Sequence, residues 1–436
     1  MARPVAGAAD LLLRQGGPVV SPEAGLAGRM SADPTYCIVG FWFFDDWGQY
    51  GRTYEKLLGE LSRLPEVDKV VLVFPPRKAL PGEAVGLEVR RISDKLILVK
   101  ELERAASPTV EGSATPSENE PSWRRFSWFR RLWSRIALRR FFRQEGIRRQ
   151  RTIAWYFPPH PYLDELRRMV PARLTVTQIV DDFTQFEPSH CLSSCARAQY
   201  VQLPLWSQFI LTSSKANFER FVPTGVPCGL FDPGVDAVFL AEPGVLPHTL
   251  RGGAPRLGYV GWILSRTDLD LLAHLAARRP EWRFVLAGPE YPSGILASNG
   301  LREAANVEVL GTIAHEDVPG FLQTLDVCLI PHRDDALSRS MSPLKLLQYL
   351  ASGRPVVATA VASLECAGSH IAVARDYAEF ERMVVEALEG DTVARSEARI
   401  EAARVQTWDL RVRILFDYLR EGMRNGELRT CDLRGR

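Results

Sequence analysis

Residues 342–359 read SPLKLLQYLASGRPVVAT, and they predict a helix running into a buried strand. Ser342 suits an N-cap and Pro343 the first helical position, where a missing N–H leaves nothing unsatisfied. Leu344, Leu347 and Leu350 recur at helical spacing, and Gly353 followed by Pro355 ends the helix. Val356, Val357 and Ala358 then read as a short buried strand. Lys345 falls in the first turn, where free N–H groups and the helix dipole favour an anion. Gln348 lies one turn deeper on the same face. A cation and an amide at that end suit a diphosphate and the sugar hydroxyls beside it. The plain alternative is an ordinary αβ unit with a solvated lysine and glutamine.

Around this stretch the chain alternates strands and helices, which argues for parallel sheets. Strands are expected at 36–40, 69–74, 95–99, 152–157, 174–180 and 209–213, then at 256–260, 283–287, 307–310, 326–330 and 355–359. A Gly- and Pro-rich passage from Pro223 to Leu240 separates the two runs, and Trp408 opens a last amphipathic helix. The 436 residues, 46% hydrophobic and 24% charged, suffice for two domains and make wholesale disorder untenable. Seven cysteines without paired metal spacing read as reduced thiols of a cytosolic protein. No run of roughly 18 apolar residues exists to span a membrane, and Asp10, Arg14 and Glu23 interrupt the N-terminus where a secretory leader would need an apolar stretch.

The helix-strand stretch resembles the nucleotide-binding helix of GT-B glycosyltransferases, which commonly runs (E)-A-M-A-S-G-x-P-V-V-A. Leu257–Gly261, Leu286–Pro289 (LAGP) and Asn306–Gly311 (NVEVLG) are similar to further landmarks of the same half, in the right order. Pro233-Gly-Val-Asp-Ala-Val-Phe239 resembles the connector between the two GT-B domains. One departure stands out. Retaining members carry a glutamate where this chain has Gln348, and its partner glutamate would fall on Ser340. The segment S-P-L-K-L-L-Q-Y more closely resembles bacterial exopolysaccharide glucuronosyltransferases of the xanthan type, whose Lys and Gln touch the nucleotide.

The resemblance implies an α/β, GT-B fold of two Rossmann-like domains facing across a cleft. The implied divisions are a loose extension at 1–33, an acceptor domain at 34–235, a nucleotide-sugar domain at 236–405, and a helix and tail at 406–436 crossing back to the first domain. Ligands of such sheets lie beyond the carboxyl ends of the strands. There, Gly261 permits close backbone approach and Arg266 is placed to neutralise phosphate; Ile313 sits where GT-B proteins meet the base. Ser342, Leu344, Lys345 and Gln348 complete the expected donor site. His332 reads as a surface histidine.

For chemistry, Asp181 and Asp182 follow an apolar strand. Asp182 with Gln185 fits a capping box, leaving Asp181 as the first candidate for the base that takes a proton from an acceptor hydroxyl. Asp182 is the second candidate, and the bland reading is that both only cap. Asp268-Leu-Asp270 matches a metal-binding D-x-D, but Thr267-x-x-Asp270 is a helix start, so no metal and no cofactor are expected. Phe41–Arg52, FWFFDDWGQYGR, offers rings to a sugar or to lipid headgroups, with Asp45, Asp46 and Arg52 near an acceptor.

Charge is concentrated. Eleven arginines and one acid lie between Trp123 and Arg151, after a flexible loop at 105–122, against a whole-chain charge of only +2. Phe126, Phe129, Trp133, Ile136 and Phe141 fall roughly on one helical face. Trp128, Arg130, Arg131, Trp133, Arg139 and Arg140 are the expected contacts with an anionic membrane surface or acceptor, in preference to nucleic acid. The alternative is a stripe packed on its own domain. The combined expectation is a UDP-sugar donor, with UDP-glucuronate the first to test, a lipid-linked glycan acceptor, inversion, a role in bacterial surface polysaccharide synthesis, and a location on the inner face of the cytoplasmic membrane. A nucleotide-sugar-binding or membrane-docked assembly protein without turnover is the rival.

Overall fold

In the computed structural model, residues 35–49, 51–103, 128–186, 192–240, 253–361 and 364–434 are described, without the side chains of 128–134, 365 and 366. The extension at 1–33 and the loop at 105–122 lie outside them, as do Phe126 and the side chain of Phe129.

The first sheet contains β1 (Tyr36–Phe41), β2 (Val67–Val73), β3 (Arg77–Lys78), β4 (Gly86–Arg91), β5 (Leu96–Glu103), β6 (Thr152–Tyr156), β7 (Leu174–Ile179), β8 (Phe209–Thr212) and β9 (Cys228–Leu230). The second contains β10 (Arg256–Val260), β11 (Arg283–Ala287), β12 (Val307–Gly311), β13 (Val327–Ile330), β14 (Val356–Thr359) and β15 (Ala372–Ala374); β16 (Cys431–Asp432) returns to the first. Their orders are β16-β9-β8-β7-β6-β1-β2-β5-β3 and β12-β11-β10-β13-β14-β15, with β4 antiparallel to β5. Each sheet grows outward in both directions from its first strand, the doubly wound plan in which the order reverses beside β1 and beside β10. Every residue of β1 is buried, as expected of a central parallel strand covered on both faces. The β3–β4 addition was not foreseen. Its strands are short or largely exposed, and the only apolar alternation is the brief Leu87-Glu88-Val89-Arg90.

One core lies about the first sheet, and two flank the second. The helix Trp408–Asn425 contributes Trp408, Val412, Leu415, Phe416 and Leu419 to the first core. Phe416 meets Tyr36 edge-on at 5.8 Å, and Arg413 pairs with Glu66 at 2.8 Å. The chain therefore passes between the sheets twice, and the passages are stitched together. Val235 N–H donates to Gln406 at 2.9 Å, and Trp408 N–H donates to Val235 at 3.1 Å. Both sheets belong to one unit, Thr35–Arg436.

Candidate active site

The strands that flank the reversal in the second sheet end in Gly261-Trp-Ile-Leu-Ser-Arg-Thr267 and in Pro331-His332. These two ends are tied by a bridge between Thr267 and His332 and by Arg333 N–H donating to the Arg266 carbonyl at 2.8 Å. Gly261 has φ +130°, and a Cβ there would sit 3.2 Å from the Lys345 Nζ. A side chain would thus be strained and would crowd the ammonium, which explains glycine at this turn.

The helix that carries Lys345 differs from the sequence reading at its start. It spans Lys345–Ala351, two residues later than Pro343 implies, and Leu344 is the N-cap residue with no side-chain cap bond. Ser342 is therefore not the cap. Pro343 contributes only a carbonyl, accepting from Leu346 at 2.9 Å. At seven residues the helix has little macrodipole, so positive charge at this site must come from side chains. Lys345 is not at an exposed start either. It is partly buried, with Nζ 3.8 Å from the Tyr259 ring centroid. Burial pushes its pKa down, Tyr259 opposes this, and Arg266 adds to it. Gln348 is partly buried one turn on, Leu344 packs against the first domain's core, and Ile313 packs against a core of the second.

Arg266 donates through Nη1 to Met341 Sδ at 3.1 Å, while its Nε is buried without a partner. His332 corrects the surface reading. It is 2% exposed, and neither ring nitrogen has a hydrogen bond. Burial first, then Lys345 and Arg266, hold its pKa well below the usual histidine value, so the imidazole is neutral.

Across from these groups, β7 ends at Asp181 and Asp182. Asp182 is buried and occupied: it caps Phe183–Gln185 by accepting from Thr184 N–H at 3.0 Å, accepts from the Thr184 hydroxyl at 2.6 Å, and pairs with Arg220. Asp181 has none of these ties. Burial raises its pKa; Arg266 and Arg52 pull it down and Asp182 pushes it up, with a net upward direction. A carboxylate so raised is a better proton acceptor than an exposed one. The influence of Arg266 on Asp181 also means that the two domains' strand ends face each other. Two hydrogen bonds fix that approach. Asp182 N–H donates to the Ser340 hydroxyl at 3.2 Å, and Asn217 Nδ2 donates to the Ser340 carbonyl at 2.9 Å.

The aromatic loop after β1 turns inward. Trp42 and Phe43 are buried and stacked at 4.2 Å. Asp46 accepts from Trp42 Nε1, Arg52 Nε and Tyr54 OH at 3.1, 2.9 and 2.8 Å. Asp45 pairs with Lys100. The loop is thus organised around a buried carboxylate, and its described rings, apart from the 43% exposed Phe44, are largely spent on the core. Asp268 and Asp270 are likewise occupied: Asp268 caps Leu269–Arg278, accepting from Leu271 N–H at 2.9 Å, and Asp270 pairs with Arg333.

The basic segment forms the helix Trp128–Gln144. Its described part packs Leu138, Phe141 and Phe142 into the first core, so the stripe covers its own domain there, and Ile136 faces out at 49% exposure rather than joining it. Arg139, Arg140 and Arg143 are exposed, whereas Arg135 pairs with Glu165. The side chains of Trp128, Arg130, Arg131 and Trp133 lie outside the described residues.

Tyr259 was not singled out from the sequence, His332 was read as a surface histidine, and Ser340 was noted only as the position where a glutamate is missing. A signal existed for the first two, since β10 and β13 are the strands beside the reversal; Ser340 shows only once the domains meet.

Residues 254–390 match the glycosyl transferases group 1 family. A putative teichuronic acid biosynthesis glycosyltransferase, TuaH, of Bacillus subtilis is 30% identical over 103 residues, 24% of this chain and 26% of that protein. The alignment thus covers about a quarter of that relative's length. Among solved structures, Anabaena Alr3699/HepE in complex with UDP and glucose superposes with TM-score 0.59 at 13% identity, covering 88% of this chain and 99% of that one. Trehalose-6-phosphate from E. coli bound with UDP-2-fluoro glucose, as that structure is titled, gives TM-score 0.60 at 12% identity, covering 88% and 99%. The fold is GT-B.

Proposed function

We propose that the protein is a glycosyltransferase that moves a sugar from a UDP-sugar to a lipid-linked glycan in bacterial surface polysaccharide synthesis. The observation that carries this is the pairing of two cations of the second domain, Lys345 and Arg266, the latter acting in turn on Asp181 of the first. The family match over residues 254–390 and the UDP complexes of proteins with this fold support the donor class. Residues 236–405 would hold the donor and 34–235 the acceptor.

In the proposed reaction, the acceptor hydroxyl gives its proton to Asp181 as its oxygen attacks the anomeric carbon. The bond from that carbon to the diphosphate oxygen breaks, and Lys345 with Arg266 stabilises the charge that develops. Gly261 lets the diphosphate approach the backbone, and Gln348 reaches the sugar hydroxyls. Inversion follows from a single displacement, in keeping with Gln348 and Ser340 in place of paired glutamates. UDP-glucuronate is the first donor to try. Exposed Arg139, Arg140 and Arg143 would bring the first domain to an anionic membrane, each worth about 1 kcal/mol near the surface. Incubation of the protein with a panel of UDP-sugars and bacterial lipid extract, read as labelled sugar in the lipid fraction, tests the proposal. UDP binding without transfer from any donor would favour the assembly-protein reading.

A further inference from the structure

Three buried nitrogens gather in one corner of the cleft without hydrogen-bond partners: Nδ1 and Nε2 of His332 and Nε of Arg266. Buried polar groups are almost always paired, so a cluster of orphans calls for an explanation. Loose chain is not the explanation. The His332 N–H donates to Thr359 Oγ1 at 3.0 Å, and the same hydroxyl donates to the His332 carbonyl at 2.7 Å. The backbone is clamped while the ring is left unmatched.

We propose that His332 is a third donor-site residue, taking a proton from solvent as the diphosphate of a nucleotide sugar arrives and hydrogen-bonding to it beside Lys345 and Arg266. This rests on the donor-site reading above. The groups that face His332 are all cationic or neutral in the ligand-free protein. Lys345 comes from its helix, Arg266 from the loop after β10, and Tyr259 of β10 lies under the Lys345 ammonium. Arg333, the next residue, is drawn aside to Asp270 at 2.9 Å, and Asp181 faces Arg266 from the first domain. Burial first, and then the two cations, keep the ring neutral and its pKa well below the usual histidine value. A diphosphate with two negative charges reverses the local field and favours the imidazolium. The only covalent change is one N–H bond formed on the ring, its proton supplied by water or buffer.

A nucleotide sugar is the right probe, because its diphosphate diester has no group titrating near neutrality. Calorimetry of UDP-glucose binding from about pH 5.5 to 8, in buffers of different ionisation enthalpy, should show proton uptake. Affinity should tighten as pH falls, by at most about tenfold per pH unit for one proton. His332→Gln should bind about 10-fold or more weakly near pH 6, the range expected for a lost hydrogen bond to a charged group, and should lose the pH slope. His332→Asn serves if Gln does not fold. A merely structural histidine would weaken binding equally at every pH and keep the slope, which would overturn the proposal. So would wild-type binding without proton uptake. Absence of any UDP-glucose or UDP binding by wild type is a different failure: it removes the donor-site reading itself, and this inference with it.

Discussion

Replacing Lys345 by Met separates what the lysine does for the fold from what it does for a ligand. In the ligand-free protein its ammonium is partly buried, rests on the Tyr259 ring at 3.8 Å, and lies near Arg266. The cation–π contact contributes about 0.5–2 kcal/mol, and desolvation and the like charge oppose it, as the lowered pKa records. These nearly cancel. Met fills similar volume without charge, so Lys345→Met should leave thermal stability unchanged or raise it by about 1 kcal/mol. With UDP bound, the balance differs. A hydrogen bond to a charged group contributes about 1.5–3 kcal/mol, and unit charges about 4 Å apart attract by about 4 kcal/mol at an effective dielectric constant of 20. Since the desolvation of Lys345 is already incurred in the free protein, most of this survives as affinity. A loss of about 2–4 kcal/mol, roughly 30- to 1000-fold in Kd, is expected by calorimetry. Proton counting gives a second check. The unfolded chain keeps the Lys345 proton up to about 10.5 and the folded chain releases it at lower pH, so stability from this group rises with pH through that window. The variant should lack that rise. Folded Lys345→Met with UDP affinity within about threefold of wild type would refute the reasoning.

Asp181→Asn should cut turnover by about 10²–10⁴-fold with UDP affinity nearly intact, measured by labelled-sugar transfer; unchanged turnover moves the base elsewhere. Asp182→Ala should instead lower stability by about 1–2 kcal/mol in denaturant titration, through loss of its cap and its Arg220 pair. Changing Arg139, Arg140 and Arg143 to Gln should release the protein from anionic liposomes in a sedimentation assay and leave UDP binding alone; equal pelleting with neutral vesicles by wild type would argue against an electrostatic dock. Burial pushes His160 down to about 4, and its Nδ1 accepts from Tyr162 N–H at 3.1 Å. The unfolded chain binds that proton first, so stability from this group is lost as pH falls from about 6.5 toward 4. His160→Asn, which keeps an acceptor, should flatten that limb in pH-dependent melting.

The fold was legible because central parallel strands are apolar on both faces and are bounded by Gly or Pro, as Val356–Thr359 is by Pro355 before it and Leu257–Val260 by Gly261 after it. Edge additions such as β4 were not, since in GLEVRR only Leu87 packs on the core, too little buried face to write a clear pattern. Composition misled at two places. The aromatic run after β1 looked like a display of rings, but buried Asp46 gathers three donors and pulls the loop inward. Histidine is usually exposed, yet His332 is enclosed because it lies where two strand ends are bridged. Neither burial follows from neighbours in sequence. The reading of Lys345 leaned on a helix start at Pro343; the helix begins two residues later and is short, so the positive charge here is that of the lysine itself rather than of the helix end.

The hinge between the proposed base and the proposed phosphate site is a single short stretch. Ser340 accepts from Asp182 N–H through its hydroxyl and from Asn217 through its carbonyl, and Lys345 follows five positions later. Between them Met341 touches Arg266, and Leu344 packs on the first core. The segment that carries the lysine is therefore held to the domain that carries Asp181, adjacent to the occupied cap Asp182. The chain crossings at Val235 and Trp408 add a second tie, where Asp236 pairs with Lys56 of the first domain at 2.9 Å and with His315 of the second at 3.2 Å. Where retaining relatives would spend the Ser340 position on a glutamate, this chain spends it on a contact between domains. That position carries no carboxylate, and in the proposed reaction proton transfer falls to the first domain's Asp181.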